Sequence, residues 1–236
     1  MLLSVTGGDS IEVSLNGFEV TFTVPDNWNG QEDFTFYVDD QMGHELVPDV
    51  VTVIVNPIND PPEIEILQIV GFYEDVVQEV DFSPYVTDVD GMDGLIMTST
   101  QGENIFVEIQ GFTVFFSSTL NWHGREFITF YLNDQQGRAV DSDIVEVVVI
   151  SVNDAPTIDL PETLNFAEDT VLNEDFSSLI EDVDGDELIL TADGFNNINV
   201  VIDGMQVTYD APLNWNGTEV IVFTVDDQIG RGANKG

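Results

Sequence analysis

Aspartates at alternating positions make the loop around Gly185 the densest group of potential metal ligands in the chain, with the sequence Asp182-Val183-Asp184-Gly185-Asp186. Ca²⁺ prefers hard oxygen ligands, about six to eight at flexible geometry, whereas Mg²⁺ demands a stricter octahedron. The run resembles the first half of a helix-flanked calcium loop, although Asp193 stands where that loop ends in glutamate. Asp-Gly clusters also form plain turns, so the run alone does not establish a metal site.

The same pattern recurs with a fixed long period, which indicates a repeat array. The runs that begin at Asp88 and Asp182 start 94 residues apart, as do the linkers Asn59-Asp60 and Asn153-Asp154. Three further series keep this register. The first is Asn27-Trp28-Asn29-Gly30, Asn121-Trp122-His123-Gly124 and Asn214-Trp215-Asn216-Gly217, and the second is Glu74-Asp75 and Glu168-Asp169. The third is Asp39-Asp40-Gln41, Asn133-Asp134-Gln135 and Asp226-Asp227-Gln228. Function is therefore expected at the junctions between units rather than in one catalytic cleft.

The chain is strongly acidic, with 45 acidic and 4 basic residues and a formal net charge of −41. Self-repulsion of this charge opposes compaction, which makes metal cations a natural counter-charge. The acidity excludes nucleic acid as a direct partner and disfavours an anionic membrane surface, because both require basic residues. A hydrophobic content of 43% contradicts disorder. Solubility in a saline habitat would explain scattered carboxylates but not periodic ones.

Residue types that other classes of site need are scarce. Transition metals favour His or Cys ligands, but the chain has no Cys and only His44 and His123, which we interpret as surface loop residues. Without Cys there are no disulfides, which is compatible with a cytoplasm or with a secreted protein that uses metal as its staple. No stretch reaches the roughly 18 apolar residues of a membrane helix. The start, Met1–Val5, does not resemble a signal peptide, so any export signal is expected outside this chain.

Short runs with period two, rich in β-branched and aromatic residues, predict many short strands. In the middle unit we predict strand A at Ile64–Phe72, B at Val76–Phe82, C at Leu95–Thr100, D at Ile105–Ile109, E at Phe112–Phe116, F at Phe127–Leu132 and G at Ile144–Val149. Asn16-Gly17, Gln110-Gly111 and Asp203-Gly204 are predicted as tight hairpins. The fold class is therefore all-β, as tandem antiparallel Greek-key β-sandwiches of immunoglobulin type. The three tryptophans are expected to be buried beneath the turn before strand F.

The period divides the chain into three parts, because Met1 aligns with Leu95 at the start of strand C. Residues 1–58 are predicted to be a partial repeat with strands C–G only, residues 59–152 a complete repeat, and residues 153–236 a repeat without its last strand. This organisation resembles a segment of a longer array. Because a sandwich without strands A and B exposes core and an unpaired edge, the first part is expected to be the least stable, either frayed or borrowing contacts from a neighbour.

Counting strands places the acidic loops of neighbouring units at a shared junction. The second junction is predicted to gather Glu74, Asp75, Asn153, Asp154, Asp182, Asp184, Asp186, Asp226 and Asp227. The first junction has no Glu-Asp turn, and is predicted to bind more weakly through Asn59, Asp60, Asp88, Asp90 and Asp134. So many carboxylates at one place require large pKa shifts or a cation. Ca²⁺ is the cofactor that this donor set predicts.

The Asn-Asp-x-Pro linkers, Glu-Asp turns, Asp-x-Asp-Gly loops and Asn-Trp-x-Gly runs together resemble bacterial tandem cadherin-like repeats over essentially the whole chain. The resemblance implies calcium at each junction, held by an acid near the first strand, the linker, the Asp-x-Asp loop and the loop between strands F and G. Here those roles fall on Glu74, Asn153 with Asp154, Asp182 with Asp184, and Asp227. Animal cadherins carry a further acidic group before strand F. Asn-Trp-His-Gly replaces it here, so one or two ions per junction are expected instead of three.

These observations favour a calcium-stiffened structural or adhesive segment of a bacterial cell-surface or secreted protein, with another surface protein or a glycan as a further partner. The alternative is a carbohydrate- or protein-binding module, which needs an exposed aromatic cluster. Phe112, Phe115, Phe116 and Tyr131 are its candidates, but their period-two placement predicts that most of them belong to the core. Paired carboxylates can serve glycoside cleavage, but these recur with the repeat, and no nucleophile stands in a recognisable motif. The chain is therefore not expected to be an enzyme.

Overall fold

Extended backbone dominates the chain, because apolar β-branched and aromatic residues alternate with polar ones in runs bounded by Gly, Asn and Asp. The computed structural model describes residues 1–137 and 140–229. It divides into two compact units: Met1–Val70 with Val77–Phe116 and Glu126–Val147, and Gly71–Val76 with Ser117–Arg125 and the chain from Val148. The predicted all-β architecture is confirmed. Within the described residues, no helix has the length and apolar character required to cross a membrane.

The first repeat contains β1 (Leu2–Gly7), β2 (Glu12–Asn16), β3 (Glu19–Thr23), β4 (Gly30–Asp39) and β5 (Val47–Val55). They form a sheet in the order β1-β4-β5 and a hairpin β2-β3. Asn16 pairs with Glu19 across the turn, and Gly17 has a φ of 67°, which glycine adopts without strain. The hairpin predicted at Asn16-Gly17 is confirmed. Phe34 is fully buried, and Phe22 packs edge-on against it with ring centroids 5.2 Å apart.

The middle repeat contains β6 (Glu63–Ile64), β7 (Ile69–Tyr73), β8 (Gln78–Asp81), a 3-10 turn at Ser83–Tyr85, β9 (Val86–Thr87), β10 (Ile96–Ser99), β11 (Ile105–Gln110), β12 (Thr113–Ser118), β13 (Gly124–Asn133) and β14 (Asp141–Ile150). Its sheets have the orders β10-β13-β14-β7, β11-β12-β8 and β6-β9. Alternate residues of the strands point inward to one core. Phe82 lies at its centre, with its ring centroid 5.0 Å from Phe130 and 6.3 Å from Phe116.

Strand A is the element that the sequence predicted least well. The single strand predicted at Ile64–Phe72 is two strands, β6 and β7. Between them, Ile66 donates its backbone N–H to Asp143 Oδ2 at 2.9 Å, and Ile64 donates to Asp141 Oδ2 at 2.9 Å. Because side chains accept these amides, no continuous backbone ladder forms. Strand F also begins earlier than predicted, at Gly124 rather than Phe127.

The four aromatic candidates for a carbohydrate- or protein-binding module differ in how far they are buried. Phe116 is fully buried against Phe82 and Phe130, and Phe112 and Phe115 are half-buried. Of the four candidates only Tyr131 is exposed, at 38%. Period two places Phe115 and the buried Phe116 on opposite faces of β12, so the candidates do not form one exposed cluster.

The last repeat contains β15 (Thr157–Ile158), β16 (Leu172–Asp175), β17 (Ile180–Glu181), β18 (Ile189–Asp193), β19 (Asn199–Asp203), β20 (Gln206–Asp210) and β21 (Val222–Asp226). They pair as β15-β17, β16-β20-β19 and β18-β21. The core is built from Phe176, Ile180, Leu190, Val207 and Tyr209. The predicted absence of a strand after residue 229 concerns residues 230–236, which lie outside the described part of the chain.

The Asn-Trp-x-Gly motif is explained by a contact between its second and fourth residues. A Cβ added to Gly124 would lie 2.8 Å from the Trp122 ring, and one added to Gly217 would lie 2.7 Å from the Trp215 ring. The indole therefore lies over the glycine, which explains why these residue types recur at this spacing. The tryptophans are half-buried, so the prediction that they are buried was wrong in degree. Trp28 and Trp122 lie over the glycines that begin β4 and β13, whereas Trp215 lies over Gly217, ahead of β21.

A recurring glutamate that the sequence did not single out fastens a loop onto the start of strand F. Glu219 accepts the backbone N–H groups of Asn196 at 2.9 Å, Asn197 at 2.8 Å and Ile198 at 3.1 Å. The bond from the Asn196 backbone, followed by those from Asn197 and Ile198, lowers the pKa of Glu219 to about 2. Glu126 and Glu32 accept loop amides in the other repeats in the same way. We name this arrangement the glutamate latch.

Candidate metal centre

Four segments of the second unit bring oxygen-bearing side chains together. They are the turn after β7, the linker after β14, the loop between β17 and β18, and the end of β21. Each contains residues that the period predicted for the second junction: Glu74 and Asp75, Asn153 and Asp154, Asp182 with Asp184 and Asp186, and Asp226 with Asp227. All of them lie within this one compact unit.

The linker is bound to the last repeat by two hydrogen bonds. Asn153 donates its side-chain amide to Asp227 Oδ2 at 2.7 Å, and Asp154 donates its backbone N–H to Asp184 Oδ2 at 2.7 Å. Asp227 is only 6% exposed. The Asn153 amide nitrogen is a donor here, so its carbonyl oxygen is available as a ligand. The linker is therefore fixed in place by the same residues that the sequence predicted as ligands.

Glu74 enters the same site from the turn after β7. It is 3% exposed, donates its backbone N–H to Ile150 O at 2.9 Å, and accepts the Val152 N–H at Oε1 over 2.6 Å. Asp75, whose φ of 61° is left-handed, accepts the Asn121 N–H at Oδ1 over 2.9 Å. Asp169 makes the equivalent bond to Asn214 at 2.7 Å. The first acid of the Glu-Asp turn thus binds the linker, and the second binds the turn that precedes β13.

Three acids of the Asp182–Asp186 loop lie close enough together to hold a metal ion. One carboxylate oxygen each from Asp182, Asp184 and Asp186 lie within 4.8 Å of one another. Asp182 Oδ1 accepts the N–H groups of Gly185 at 2.8 Å and Asp186 at 3.2 Å, which bends the loop inward. A φ of 76° at Gly185 makes this bend possible.

Two buried carboxylate oxygens at this site have no hydrogen-bond partner within the described residues: Asp154 Oδ2 and Asp182 Oδ2. Buried polar atoms are almost always paired, so each exception needs an explanation. Both atoms belong to residues of the predicted donor set, and both are hard anionic oxygens of the kind that Ca²⁺ coordinates. The residues present therefore fit the cation that the sequence predicted.

Burial and neighbouring negative charges disfavour the charged form of two carboxyls at this site. Burial raises the pKa of Asp154, and the charges of Asp184, Asp75, Glu74 and Asp182 raise it further. Burial also raises the pKa of Asp186, with further contributions from Asp182, Asp184 and Asp227. Both carboxyls are thus destabilised in the charged form by their neighbours, which is the condition that a bound cation relieves.

The first predicted junction lies in the first unit and repeats part of this arrangement. Asn59 donates its amide to Asp134 Oδ2 at 2.5 Å, and Asp60 donates its N–H to Asp90 Oδ2 at 2.7 Å. Asp90 in turn donates its N–H to Asp88 Oδ1 at 2.8 Å. The bond from Asn59 lowers the pKa of Asp134, the opposite direction to Asp154. Among the described residues only the 182–186 loop brings three carboxylates within ligand distance of one another, so the two junctions are not equivalent.

The remaining predicted ligands play visible local roles. Asp226 accepts the Gln228 N–H at 2.8 Å and shapes the turn after β21.

The two histidines are surface residues, as predicted. His44 is exposed, and its Nδ1 lies 2.7 Å from Asp40 Oδ2. His123 is also exposed. Neither histidine lies in a cluster of three or more potential metal ligands within the described chain.

Residues 153–234 match the family model described as a bacterial Ig domain, and this match begins at Asn153 of the linker. It covers about a third of the chain. No curated protein matches the sequence.

Solved structures with a similar fold include PcdhgB3 EC1-4, with 13% identity and a TM-score of 0.54 over 90% of this chain and 58% of that one. Drosophila N-cadherin EC1-4 has 12% identity and a TM-score of 0.40 over 97% and 64%. An endo-fucoidan hydrolase of glycoside hydrolase family 107 has 18% identity and a TM-score of 0.36 over 95% and 36%. The chain thus spans between about a third and two thirds of these proteins. The predicted resemblance to bacterial tandem cadherin-like, Ig-like repeats is confirmed, as is the predicted sandwich fold.

Proposed function

We propose that this chain is a calcium-binding structural and adhesive repeat segment of a bacterial cell-surface or secreted protein, in which Ca²⁺ at the junctions between repeats stiffens the array. The observation that carries the proposal is the pair of buried, unpartnered oxygens, Asp154 Oδ2 and Asp182 Oδ2, within one cluster of carboxylates. Leaving such atoms without a partner costs about 1–3 kcal/mol each. A cation removes that cost for both.

The donor set favours calcium over other metals. Asp154, Asp182, Asp184, Asp186 and Glu74 together supply enough carboxylate oxygens for the six to eight ligands that Ca²⁺ takes. Loops and a linker supply them, and such segments tolerate the flexible geometry of Ca²⁺ better than the strict octahedron of Mg²⁺. The absence of Cys and the exposure of both His disfavour transition metals.

Stiffening follows from which segments hold the ligands. Asn153 and Asp154 belong to the linker, Glu74 to the repeat before it, and Asp182 and Asp184 to the repeat after it. A bound cation attracts carboxylates from both repeats and from the linker at the same time. The hydrogen bonds from Asn153 to Asp227 and from Asp154 to Asp184 then hold the linker in one conformation. Bacterial Ig-like and cadherin-like domains are typically extracellular, where calcium is abundant, and this supports a cell-surface or secreted location.

Calorimetric titration of calcium into the intact protein tests the proposal. Asp184→Asn removes a charge shared by the linker and the acidic loop, and we expect the affinity to fall by at least about tenfold, equivalent to about 1.4 kcal/mol. Asp203→Asn is the matched control, because Asp203 is an exposed acid in the hairpin of the same repeat. It removes the same charge from a residue outside the predicted donor set, and the affinity should hardly change.

Two outcomes would reject the proposal. One is the absence of heat and of stabilisation at millimolar calcium after removal of bound metal with EDTA. The other is equal weakening by Asp184→Asn and Asp203→Asn, which would show that calcium responds only to net charge.

A further inference from the structure

The two linkers differ at the residue that follows their aspartate. The first reads Asn59-Asp60-Pro61-Pro62 and the second reads Asn153-Asp154-Ala155-Pro156. The Asp60–Pro61 peptide bond is the only Asp-Pro bond in the sequence. A proline nitrogen carries no hydrogen in the peptide bond, and it departs as a secondary amine, which takes up a proton more readily than an ordinary peptide nitrogen does. An aspartate before proline is therefore well suited to break its own peptide bond.

Hydrogen bonds fix the backbone on the amino side of this bond and bind its carbonyl oxygen. Asn59 Nδ2 donates to the Asp60 carbonyl oxygen at 3.1 Å and to Asp134 Oδ2 at 2.5 Å. Asp60 donates its N–H to Asp90 Oδ2 at 2.7 Å. A donor held at a carbonyl oxygen stabilises the negative charge that develops there when the carbonyl carbon is attacked. The Asn59 amide is in this position, and its bond to Asp134 keeps it there.

The Asp60 side chain supplies a nucleophile within reach of the same carbonyl carbon. Among the described residues none donates a hydrogen bond to the Asp60 carboxylate, so rotation of the side chain breaks no such bond. A carboxylate tethered to the group it attacks reacts far faster than one free in solution, because its position is already fixed by the chain. Asp60 is half-buried and Pro61 is exposed, so water reaches the departing nitrogen.

The second linker has the same hydrogen bonds but an ordinary leaving group. Asn153 Nδ2 donates to the Asp154 carbonyl oxygen at 3.3 Å, and Asp154 donates its N–H to Asp184 Oδ2 at 2.7 Å. The residue that would depart is Ala155, whose nitrogen belongs to an ordinary secondary amide. The chain therefore contains a matched pair of sites that share the donor and the nucleophile and differ in the leaving group.

We propose that the Asp60–Pro61 bond is a self-cleavage site, with the Asp60 carboxylate as nucleophile and the Asn59 amide as the donor to the carbonyl oxygen. A carboxylate oxygen of Asp60 adds to the Asp60 carbonyl carbon, the bond from this carbon to the Pro61 nitrogen breaks, and the nitrogen takes a proton from water. The resulting cyclic anhydride is opened by water, which leaves Asp60 with a free α-carboxyl group. The net reaction consumes one water molecule and separates the first repeat from the rest of the chain. This inference does not depend on calcium at the junctions.

Mass spectrometry of the intact protein after incubation in mildly acidic buffer with EDTA tests this site, with circular dichroism to show that the protein stays folded. We expect two products, residues 1–60 and residues 61–236, and no cut after Asp154. The cut should be at least about tenfold faster in the folded protein than in the same protein unfolded in urea, because unfolding releases the Asn59 donor. Pro61→Ala should slow the cut by at least about tenfold, and Asp60→Ala should abolish it.

Variants of the two linkers separate a built site from the ordinary lability of an Asp-Pro bond. Asn59→Leu removes the donor and should slow the cut by at least about tenfold, whereas Asn153→Leu removes the same donor from the other linker and should leave the rate unchanged. Ala155→Pro leaves the first linker intact and should add a second cut, after Asp154. Equal rates in the folded and urea-unfolded protein, or equal effects of the two Asn variants, would overturn the proposal. So would a folded chain that stays intact, or an Ala155→Pro protein that is cut only after Asp60.

Discussion

Replacing Asp182 with Asn should change the stability of the last repeat in opposite directions with and without calcium. The substitution preserves the shape of the side chain, and the remaining carbonyl oxygen still accepts the Gly185 N–H. It removes the negative charge and replaces the buried unpartnered Oδ2 with an amide that can donate to Asp184 or Asp186. The local structure is therefore kept while the proposed ligand is lost.

The magnitude without calcium follows from the distances. Carboxylate oxygens within 4.8 Å repel by about 0.9 kcal/mol at the dielectric constant of water and by about 3.5 kcal/mol at an effective value of 20. Asp182 is partly exposed, so screening reduces the gain on removing its charge to about 1 kcal/mol. For a repeat of this size, that gain corresponds to a rise in melting temperature of about 4–8 °C.

With calcium the sign should reverse. A ligand at a hundredfold excess over its Kd stabilises the folded form by about 2.7 kcal/mol, equivalent to a shift of about 10–20 °C. Asp182→Asn loses most of that shift and so should melt below the unmodified protein. Differential scanning calorimetry in EDTA and in millimolar calcium measures both states. A variant that melts lower by the same amount in both buffers would refute the reasoning, because it would show a structural role alone.

Further predictions concern the repeats themselves. The pKa of Glu219 is about 2 in the folded state against about 4.3 in the unfolded chain. The Glu219 carboxylate therefore stabilises the fold above the unfolded pKa, and this stabilisation is lost as the pH falls toward 2. In melting curves recorded from pH 5 to pH 2, Glu219→Gln should reduce the fall in melting temperature. Gly124→Ala should lower the free energy of unfolding by about 1–3 kcal/mol, because a Cβ would lie 2.8 Å from the Trp122 ring. Gly204 has open space around it, so Gly204→Ala should lower the free energy of unfolding, measured by chemical unfolding, by only about 1 kcal/mol. Tyr209→Phe should be neutral or stabilise by up to about 1 kcal/mol in the same assay, because the buried Tyr209 hydroxyl has no partner in the described chain.

The period made predictable the fold and the contact of the Asn153-Asp154 linker with the acidic loops of the last repeat. Residues with the same role recur at the same register, so one recognisable series, such as Asn59-Asp60 and Asn153-Asp154, located the others. Alternation of apolar residues gave the strands around Ile128 and Val145 within a few residues. These signals are local or periodic, and they are readable without coordinates.

Features that depend on contacts between distant residues were not predictable in this way. Strand A divides because Asp141 and Asp143 accept amides almost eighty residues away in sequence, and nothing near Ile66 indicates that. The glutamate latch is similar, since Glu126 serves a loop about twenty residues earlier. Its recurrence at Glu32 and Glu219 was visible in the period, but its partners were not. Likewise, Glu74 accepts a hydrogen bond from the linker and Asp75 accepts one from Asn121, and this difference depends on the left-handed backbone at Asp75.

A crystal structure of the protein grown in millimolar calcium, with anomalous scattering used to locate the ions, tests the central claim most directly. The account predicts an ion bound by Asp154 Oδ2 and Asp182 Oδ2, with Asp184 as a shared ligand, at about 2.3–2.6 Å from each oxygen. A structure in which these oxygens remain without an ion, or turn toward protein donors instead, would contradict it.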